Sequence, residues 1–356
     1  MRLATIATDR GPRLCVKARS GYVDVGEATG DERMSALQHV LEEGERAMDA
    51  IRPLADRDGR EAGPADFAAA VPAPPRILCL GLNYSEHALE GGRAVPTWPD
   101  AFVRGSDSVL PPYADLVKPA LTSRFDYEAE LGIVIGAGGR YIRAEKALDA
   151  IAGFVVLNDA SCRDWQRAAT QWTAGKNFAG SMPIGPEVVT TDEVDVSDLA
   201  ISSTLNGIVM QSARTSQMLV SVPAAVEFFS SFTRLAPGDV IATGTPGGVG
   251  FARTPPVWME PGDVIEISVE DVGTIRNRVV AEEGAPSDWR WRPTGWQLPQ
   301  PAVHHDRRPG RRRAVLEPQV VVDQHGHPLW DQRPVRNIPG LPALGGEDGQ
   351  DHGRGR

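Results

Sequence analysis

Short apolar runs alternate with polar turns over roughly the first 280 residues, and this pattern predicts many short strands. The runs at residues 131–135 and 153–157 are rich in Val and Ile, which favours buried strands. Asn206-Gly207 and the two Pro-Gly-Asp triplets, which begin at Pro237 and Pro261, favour tight turns. Helical spacing of apolar residues is limited to a few segments, chiefly after Asp31 and near residues 222–232. We therefore predict an α+β fold, mostly β, closed into a mixed β-sandwich roll or barrel.

Composition changes at two places along the chain and divides it into three predicted parts. Pro72-Ala73-Pro74-Pro75 is typical of a linker, so residues 1–72 are predicted to form a small N-terminal α+β domain. Residues 73–284 hold most of the predicted strands and form the predicted catalytic domain. Residues 285–356 contain 11 Arg, no Lys and five of the seven His, without periodicity. We predict that this last part is disordered or an atypical tail.

Charge and cysteine content limit the partners and the cellular location that we expect for this protein. The formal net charge is −10, from 37 basic and 47 acidic residues, which argues against nucleic acid as a partner. No apolar run is long enough to cross a membrane, and we expect no membrane partner. Cys15, Cys79 and Cys162 are too far apart for a disulfide framework or a zinc motif. This pattern leads us to expect a cytoplasmic protein.

Acidic residues flank the two strongest predicted strands. Asp126, Glu128 and Glu130 alternate along the chain, so on one strand their side chains share a face. Asp159, just after the second strand, adds a further carboxylate. Carboxylates close together repel each other unless a cation lies between them, and oxygen ligands favour Mg²⁺, Mn²⁺ or Ca²⁺. The alternative is an edge strand whose acidic face is exposed to water.

Several other polar residues have a spacing that suits catalysis. His87 and Glu90 are i and i+3 in a short predicted helix, which allows a histidine base oriented by a carboxylate, although a surface pair is equally spaced. A helix from about residue 161 would place Asp159, Arg163 and Gln166 on one side. Arg163 is suited to binding a carboxylate, or else pairs with an acidic neighbour on the helix surface.

The motifs, taken in order, resemble the fumarylacetoacetate hydrolase family over about residues 75–280. No motif is specific alone, but their order and spacing together are. The matching segments are Ile77-Leu78-Cys79-Leu80-Gly81-Leu82-Asn83-Tyr84-Ser85-Glu86-His87, Asp126-Tyr127-Glu128-Ala129-Glu130-Leu131, Asn158-Asp159 with Arg163, Gly175-Lys176, Pro237-Gly238-Asp239-Val240-Ile241, Thr243-Gly244-Thr245-Pro246-Gly247-Gly248-Val249-Gly250 and Gly262-Asp263-Val264.

The resemblance implies a β-rich roll, usually dimeric, with an Mg²⁺ or Mn²⁺ site and a small dicarboxylic 2-oxo acid as substrate. It also assigns roles to individual residues. The implied metal ligands are Glu128, Glu130 and Asp159, the implied catalytic residues are His87, Glu90 and Lys176, and the implied substrate-binding residues are Arg104, Arg163, Gln166 and Thr245. Arg104 is a departure, because many members have Lys in its place, and this change bears on the substrate.

Several reactions use the same metal-bound 2-oxo acid. Our first prediction is hydrolysis of a C–C bond in a 1,3-diketo or acylpyruvate-type acid, by way of a metal-stabilised enolate. The alternatives are ketonisation or hydration of a 2-hydroxymuconate-type acid, decarboxylation of oxaloacetate, and a binding protein without catalytic activity on the same scaffold. The carboxylates, Lys176 and the pair of His87 and Glu90 favour an enzyme.

Overall fold

The computed structural model describes residues 1–286, 321–322 and 328–329. The chain divides into two compact units, Met1–Thr294 and Gly295–Arg356. In the second unit, the described residues are two short antiparallel strands, Val321–Val322 and Pro328–Leu329. The prediction for the tail, residues 285–356, otherwise falls almost entirely outside the described residues.

The described part of the first unit is built mainly from strands. They are β1 (Arg2–Thr8), β2 (Gly11–Lys17), β3 (Tyr22–Asp24), β4 (Ile77–Gly81), β5 (Asp100–Arg104), β6 (Val109–Leu110), β7 (Leu116–Lys118), β8 (Phe125–Asp126), β9 (Ala129–Ile135), β10 (Ile151–Asn158), β11 (Ser161–Cys162), β12 (Met182–Thr190), β13 (Ala200–Leu205), β14 (Ile208–Arg214), β15 (Val240–Ala242), β16 (Val264–Val269) and β17 (Gly273–Ala281).

The α-helices between these strands are short. They are α1 (Val25–Thr29), α2 (Leu37–Glu43), α3 (Glu45–Ile51), α4 (Ser85–Glu90), α5 (Arg163–Gln166), α6 (Thr173–Lys176) and α7 (Val222–Phe232). The helix predicted after Asp31 is split, because Gly44 adopts a positive φ of 66° between α2 and α3. No helix in the described residues is long and apolar enough to span a membrane.

Two sheets carry the fold, and neither is closed. The larger runs in the order β3-β2-β1-β12-β10-β9-β15-β4-β5, with β6 beside β12, and the smaller runs β14-β13-β16-β17-β7. The prediction of a mixed, mostly β fold is confirmed. The barrel alternative is wrong, because the edge strands β3 and β5 of the larger sheet do not pair with each other. Short strands and turn signals predict strand content but do not encode which edges meet.

The N-terminal strands continue the sheet that contains the acidic strands. β1 pairs with β12 in the register Arg2↔Val189 and Leu3↔Val188. Leu3 also belongs to one buried apolar cluster with Val155 and Leu157 of β10. The predicted boundary at residue 72 therefore does not separate two sheets.

Strand register brings the ends of several strands together along one border of the larger sheet, perpendicular to its edge strands. β9 begins beside the end of β10, because Ala129 pairs with Asn158. β15 runs antiparallel to β9 and ends beside its middle, because Ala242 pairs with Gly132, and β4 runs parallel to β15. The segments that follow β4, β10 and β15 therefore start at the same edge, next to Glu130.

Candidate metal centre and active site

Three buried carboxylates meet at this edge. One oxygen from each of Glu128, Glu130 and Asp159 lies within 4.8 Å of the other two. All three side chains are almost completely shielded from water. Oxygen donors at this separation are suited to a hard divalent cation. The structure therefore brings together the three residues predicted as metal ligands.

The local backbone differs from the single acidic strand that the sequence suggested. Glu130 lies in β9, but Glu128 lies in the break between β8 and β9, and Asp159 follows the last residue of β10. The Glu128 N–H donates to the Asn158 side-chain oxygen at 3.0 Å, and the Asp159 N–H donates to the Glu128 carbonyl at 3.0 Å. These bonds hold the two segments together and aim both carboxylates at one point.

Asp126 lies apart from the three carboxylates and supports the site in another way. Its side chain accepts hydrogen bonds from the Gly250 N–H at 2.7 Å and the Phe251 N–H at 3.1 Å. It also accepts from the Arg163 Nε at 2.8 Å. Asp126 thus links the loop after β15 to Arg163.

Lys176 bridges two of the three carboxylates. Its ammonium donates to Glu128 Oε2 at 2.5 Å and to Asp159 Oδ2 at 2.6 Å, and it is 2% exposed. Burial alone would lower the pKa of Lys176, but the charges of Asp159 and Glu128 outweigh burial and raise the pKa. The side chain therefore stays protonated and brings a positive charge to the site.

Arg163 pairs with the other side of Glu128. Its Nη2 donates to Glu128 Oε1 at 2.6 Å, and its Nη1 donates to the Gln166 side-chain oxygen at 2.9 Å. Burial opposes the charge of Glu128, but Arg163 and Lys176 outweigh it and hold the pKa of Glu128 well below its usual range. The helix predicted from about residue 161 begins at Arg163 and ends at Gln166, so Asp159 precedes it by four residues.

Arg104 forms a buried ion pair with Asp159. Its guanidinium is fully buried and makes four hydrogen bonds, to the Asp159 carboxylate, the Ala160 carbonyl and the hydroxyls of Ser108 and Ser181. These bonds explain why the longer, forked side chain fits here, because a lysine ammonium cannot reach so many separated acceptors. The predicted role of Arg104 in substrate binding stays a prediction, and in the structure Arg104 holds Asp159, a predicted metal ligand.

The site carries one more buried carboxylate than buried cation. Within the described residues, the buried carboxylates of the site are Asp126, Glu128, Glu130 and Asp159, and the buried Arg and Lys side chains that pair with them are Arg104, Arg163 and Lys176. The deficit falls on Glu130, whose side chain accepts a hydrogen bond from the Gly244 N–H at 2.8 Å but has no ion pair within the described residues. Burial, followed by the charges of Asp159 and Glu128, raises the pKa of Glu130 well above its usual range. A divalent cation among these carboxylates would remove the repulsion, so the residues fit a metal ion.

His87 and Glu90 form the pair that their spacing predicted. They lie on α4, and His87 Nδ1 is 2.8 Å from Glu90 Oε1. The other oxygen of Glu90 accepts from the Gly248 N–H at 2.7 Å, so Glu90 also attaches α4 to the loop after β15. The His87 ring meets Phe251 edge-on, with ring centroids 6.2 Å apart. Glu90 orients the imidazole and leaves Nε2 without a hydrogen-bond partner in the described residues.

Thr245 is buried beside the acidic strands and is held there by a residue that sequence reasoning missed. Gln211 of β14 donates to Thr245 Oγ1 at 2.7 Å and accepts from the Ala129 N–H at 3.0 Å. It links the smaller sheet to the loop that lines the carboxylates. A glutamine in a strand has no sequence signal for this role. Phe251 was also missed, because an isolated aromatic residue is usually part of a core.

Comparisons with known proteins agree with this geometry. Residues 76–280 match the model for the fumarylacetoacetate (FAA) hydrolase C-terminal domain. Oxaloacetate tautomerase FAHD2A, mitochondrial, from Bos taurus is 39% identical over 282 residues, which cover 76% of this chain and 88% of the relative.

Two solved structures extend the comparison. A fumarylacetoacetate hydrolase from psychrophilic Exiguobacterium antarcticum has a TM-score of 0.70 at 33% identity and covers 79% of this chain and 100% of its own. Fumarylpyruvate hydrolase from Pseudomonas aeruginosa, in complex with Mn²⁺ and pyruvate, has a TM-score of 0.54 at 34% identity, over 59% of this chain and 91% of its own. The chain belongs to the fumarylacetoacetate hydrolase family.

Proposed function

We propose that this protein is a divalent-metal-dependent enzyme that interconverts the keto and enol forms of a small dicarboxylic 2-oxo acid of the oxaloacetate type. The observation that carries the proposal is the buried group of Glu128, Glu130 and Asp159, with Lys176 bridging two of them. When bound by these carboxylates, Mg²⁺ or Mn²⁺ supplies a Lewis acid for the 2-oxo group. The name of the bovine relative, oxaloacetate tautomerase, supports the choice of reaction.

Tautomerisation requires only proton transfer. The keto form loses a proton at C3 and gains one at the 2-oxygen, so neither water nor a second substrate is consumed. His87 is the candidate for the transfer at C3, because Glu90 holds Nδ1 and stabilises the imidazolium that forms when Nε2 accepts a proton.

Lys176 has a different role in this reaction. Its ammonium is buried and stays charged, which suits it to stabilising the negative charge that develops as C3 is deprotonated. Cys162 is unsuited to nucleophilic catalysis, because burial raises the pKa of its thiol to about 12 and keeps it protonated.

Hydrolysis of a C–C bond in an acylpyruvate-type acid, our first prediction from the sequence, is the second candidate. The pair of His87 and Glu90 favours it, because the same imidazole can activate a water molecule for attack on a carbonyl. The solved structure of fumarylpyruvate hydrolase with Mn²⁺ and pyruvate also supports it. The two reactions differ in whether water is consumed and a bond is broken.

A substrate panel separates the candidates. Purified protein with Mg²⁺ or Mn²⁺ is given oxaloacetate, an acylpyruvate and a 2-hydroxymuconate-type acid, and the enol band and the products are followed. We expect fast tautomerisation of oxaloacetate that is lost with EDTA and restored by added metal. Efficient cleavage of the acylpyruvate without tautomerisation would establish the second candidate, and full activity in EDTA would exclude both.

His87→Gln tests the proton-transfer step. The variant keeps a polar side chain but cannot accept a proton, so kcat should fall by about 10²–10⁴-fold. Binding of metal should persist, since His87 is not among the three ligands. Unchanged kcat would assign the proton transfer to another group.

A further inference from the structure

Arg163, the residue expected to bind the second carboxylate of the substrate, is already engaged by the protein. Each of its three side-chain nitrogens donates a hydrogen bond, to Asp126, Gln166 and Glu128. Two of these partners are carboxylates, so they neutralise the guanidinium charge. A dicarboxylic substrate therefore needs another cation for its distal end.

Arg167 lies next to Arg163 against the same aromatic ring. The guanidinium carbon of Arg167 is 4.2 Å from the centroid of the Phe251 ring, and that of Arg163 is 4.7 Å from it. The same ring is in T-shaped contact with His87. Phe251 is anchored by the hydrogen bond from its N–H to Asp126. The Phe251 ring thus lies between Arg167 and His87, and part of the Arg167 side chain remains exposed to solvent.

Arg167 has no directly paired carboxylate among the described residues. Its side chain makes no hydrogen bond or ion pair there, and its guanidinium lies over the Phe251 ring. Burial, then the charges of Arg163 and Arg93, lower the pKa of Arg167, and the charge of Asp126 opposes this shift only in part. Arg93 follows the Gly91-Gly92 pair at the end of α4 and lies over the Trp172 ring, at 5.5 Å. Arg167 and Arg93 therefore each lie over an aromatic ring, and they are close enough for their charges to interact.

We propose that Arg167, assisted by Arg93, binds the distal carboxylate of the substrate and makes the enzyme selective for dicarboxylic over monocarboxylic 2-oxo acids. This inference rests on the proposed function. Guanidinium groups bind carboxylates through paired hydrogen bonds, and stacking on Phe251 holds the group in place without using its N–H donors. The carboxylate would supply the neutralising charge that the protein does not.

A matched pair of ligands tests the inference. 2-Oxobutanoate and 2-oxoglutarate share the 2-oxo acid group and differ by one distal carboxylate. Their binding to the full-length Mg²⁺-loaded protein is measured by titration calorimetry for the wild type, Arg167→Met and Arg167→Lys. We expect Arg167→Met to weaken 2-oxoglutarate binding by about 10-fold or more, the effect of losing a hydrogen bond to a charged group, and 2-oxobutanoate binding by less than about 3-fold. Arg167→Lys should lie between, because it keeps the charge but not the fork.

Arg140→Met is the matched control. Arg140 is also exposed and stacked on an aromatic ring, Tyr141, at 4.6 Å, but it follows the far end of β9 from Glu130. This variant should bind both ligands as the wild type does. Binding of 2-oxoglutarate should also weaken with added salt in the wild type and less so in Arg167→Met, since an exposed pair is screened.

The outcomes separate this inference from the proposed function. If the wild type binds neither ligand, the assignment of 2-oxo acids to the site fails. If the wild type binds both ligands and Arg167→Met affects both equally, or neither, the role of Arg167 is overturned while the proposed function stands. A larger loss for 2-oxoglutarate alone supports both.

Discussion

At the scale of single residues, Glu130 decides how the site responds to a cation. Glu130→Gln removes the excess buried charge yet keeps an oxygen to accept from the Gly244 N–H. Without metal, we expect the variant to be as stable as the wild type or more so, because repulsion from Asp159 and Glu128 is relieved. The stabilisation by Mg²⁺, about 2.7 kcal/mol at 100 times Kd for a ligand that binds only the folded state, should be lost.

Thermal unfolding with and without Mg²⁺ measures both effects of this change. Glu61→Gln, at an exposed position outside the site, is the control and should keep the full response to the cation. An undiminished Mg²⁺ response in Glu130→Gln would remove Glu130 from the ligand set.

A second prediction for a single residue concerns Arg104. Arg104→Lys keeps the charge but cannot preserve four hydrogen bonds, so Asp159 loses its fixed orientation. We expect a 10- to 100-fold weaker affinity for Mn²⁺, the usual effect of losing a residue that orients a metal ligand. A Mn²⁺ titration checks this, with Arg143→Lys, whose side chain is 76% exposed, as the control. An unchanged affinity would show that Asp159 is held adequately without the fork.

At the scale of elements, the end of α4 depends on a glycine. Gly92 has a φ of 70°, and an added Cβ there would meet no atom within 4 Å, so Gly92→Ala introduces backbone strain without a clash. The strain should cost about 1–2 kcal/mol. We expect amide hydrogens in α4 to exchange about 5- to 30-fold faster, measured by hydrogen–deuterium exchange.

Gly91→Ala is the neighbouring control for this element. Gly91 has an ordinary φ of −76°, and the nearest atoms to an added Cβ are at 3.5 Å, a normal contact distance. This variant should leave exchange in α4 nearly unchanged. Equal effects of the two substitutions would point to lost flexibility of the pair rather than to the left-handed backbone at Gly92.

At the scale of the whole molecule, the shared sheet predicts which fragments fold. The fragment 73–286 lacks β1, whose pairing with β12 and whose Leu3 side chain complete a buried cluster. We expect it to be insoluble or unfolded, because β12 would become an uncovered apolar edge. The fragment 1–286 should fold and keep metal binding, as measured by circular dichroism and thermal unfolding with Mg²⁺. If the fragment 73–286 is soluble and unfolds cooperatively, the domain boundary predicted from the linker at residue 72 is supported.

The sequence predicted local features whose causes are local. His87 and Glu90 are paired because they are three positions apart on one helical turn, and β9 and β10 are strands because their residues are apolar and β-branched. Motif order also led to the family and to the three carboxylates. These properties depend on residue type and spacing, which the chain carries wherever it folds.

Only the tertiary structure decided which charged groups, far apart in the chain, neutralise each other. Glu128 lies outside its expected strand, Arg163 is neutralised by Asp126 and Glu128, and Arg104 supports Asp159. Register between strands far apart in the chain sets these contacts, and a shift of one residue would turn each side chain to the other face. For the same reason the open sheet, the role of Gln211 and the lack of an ion pair for Arg167 within the described residues could not be predicted from spacing. Electrostatic balance is a property of positions in space, so only the fold determines it.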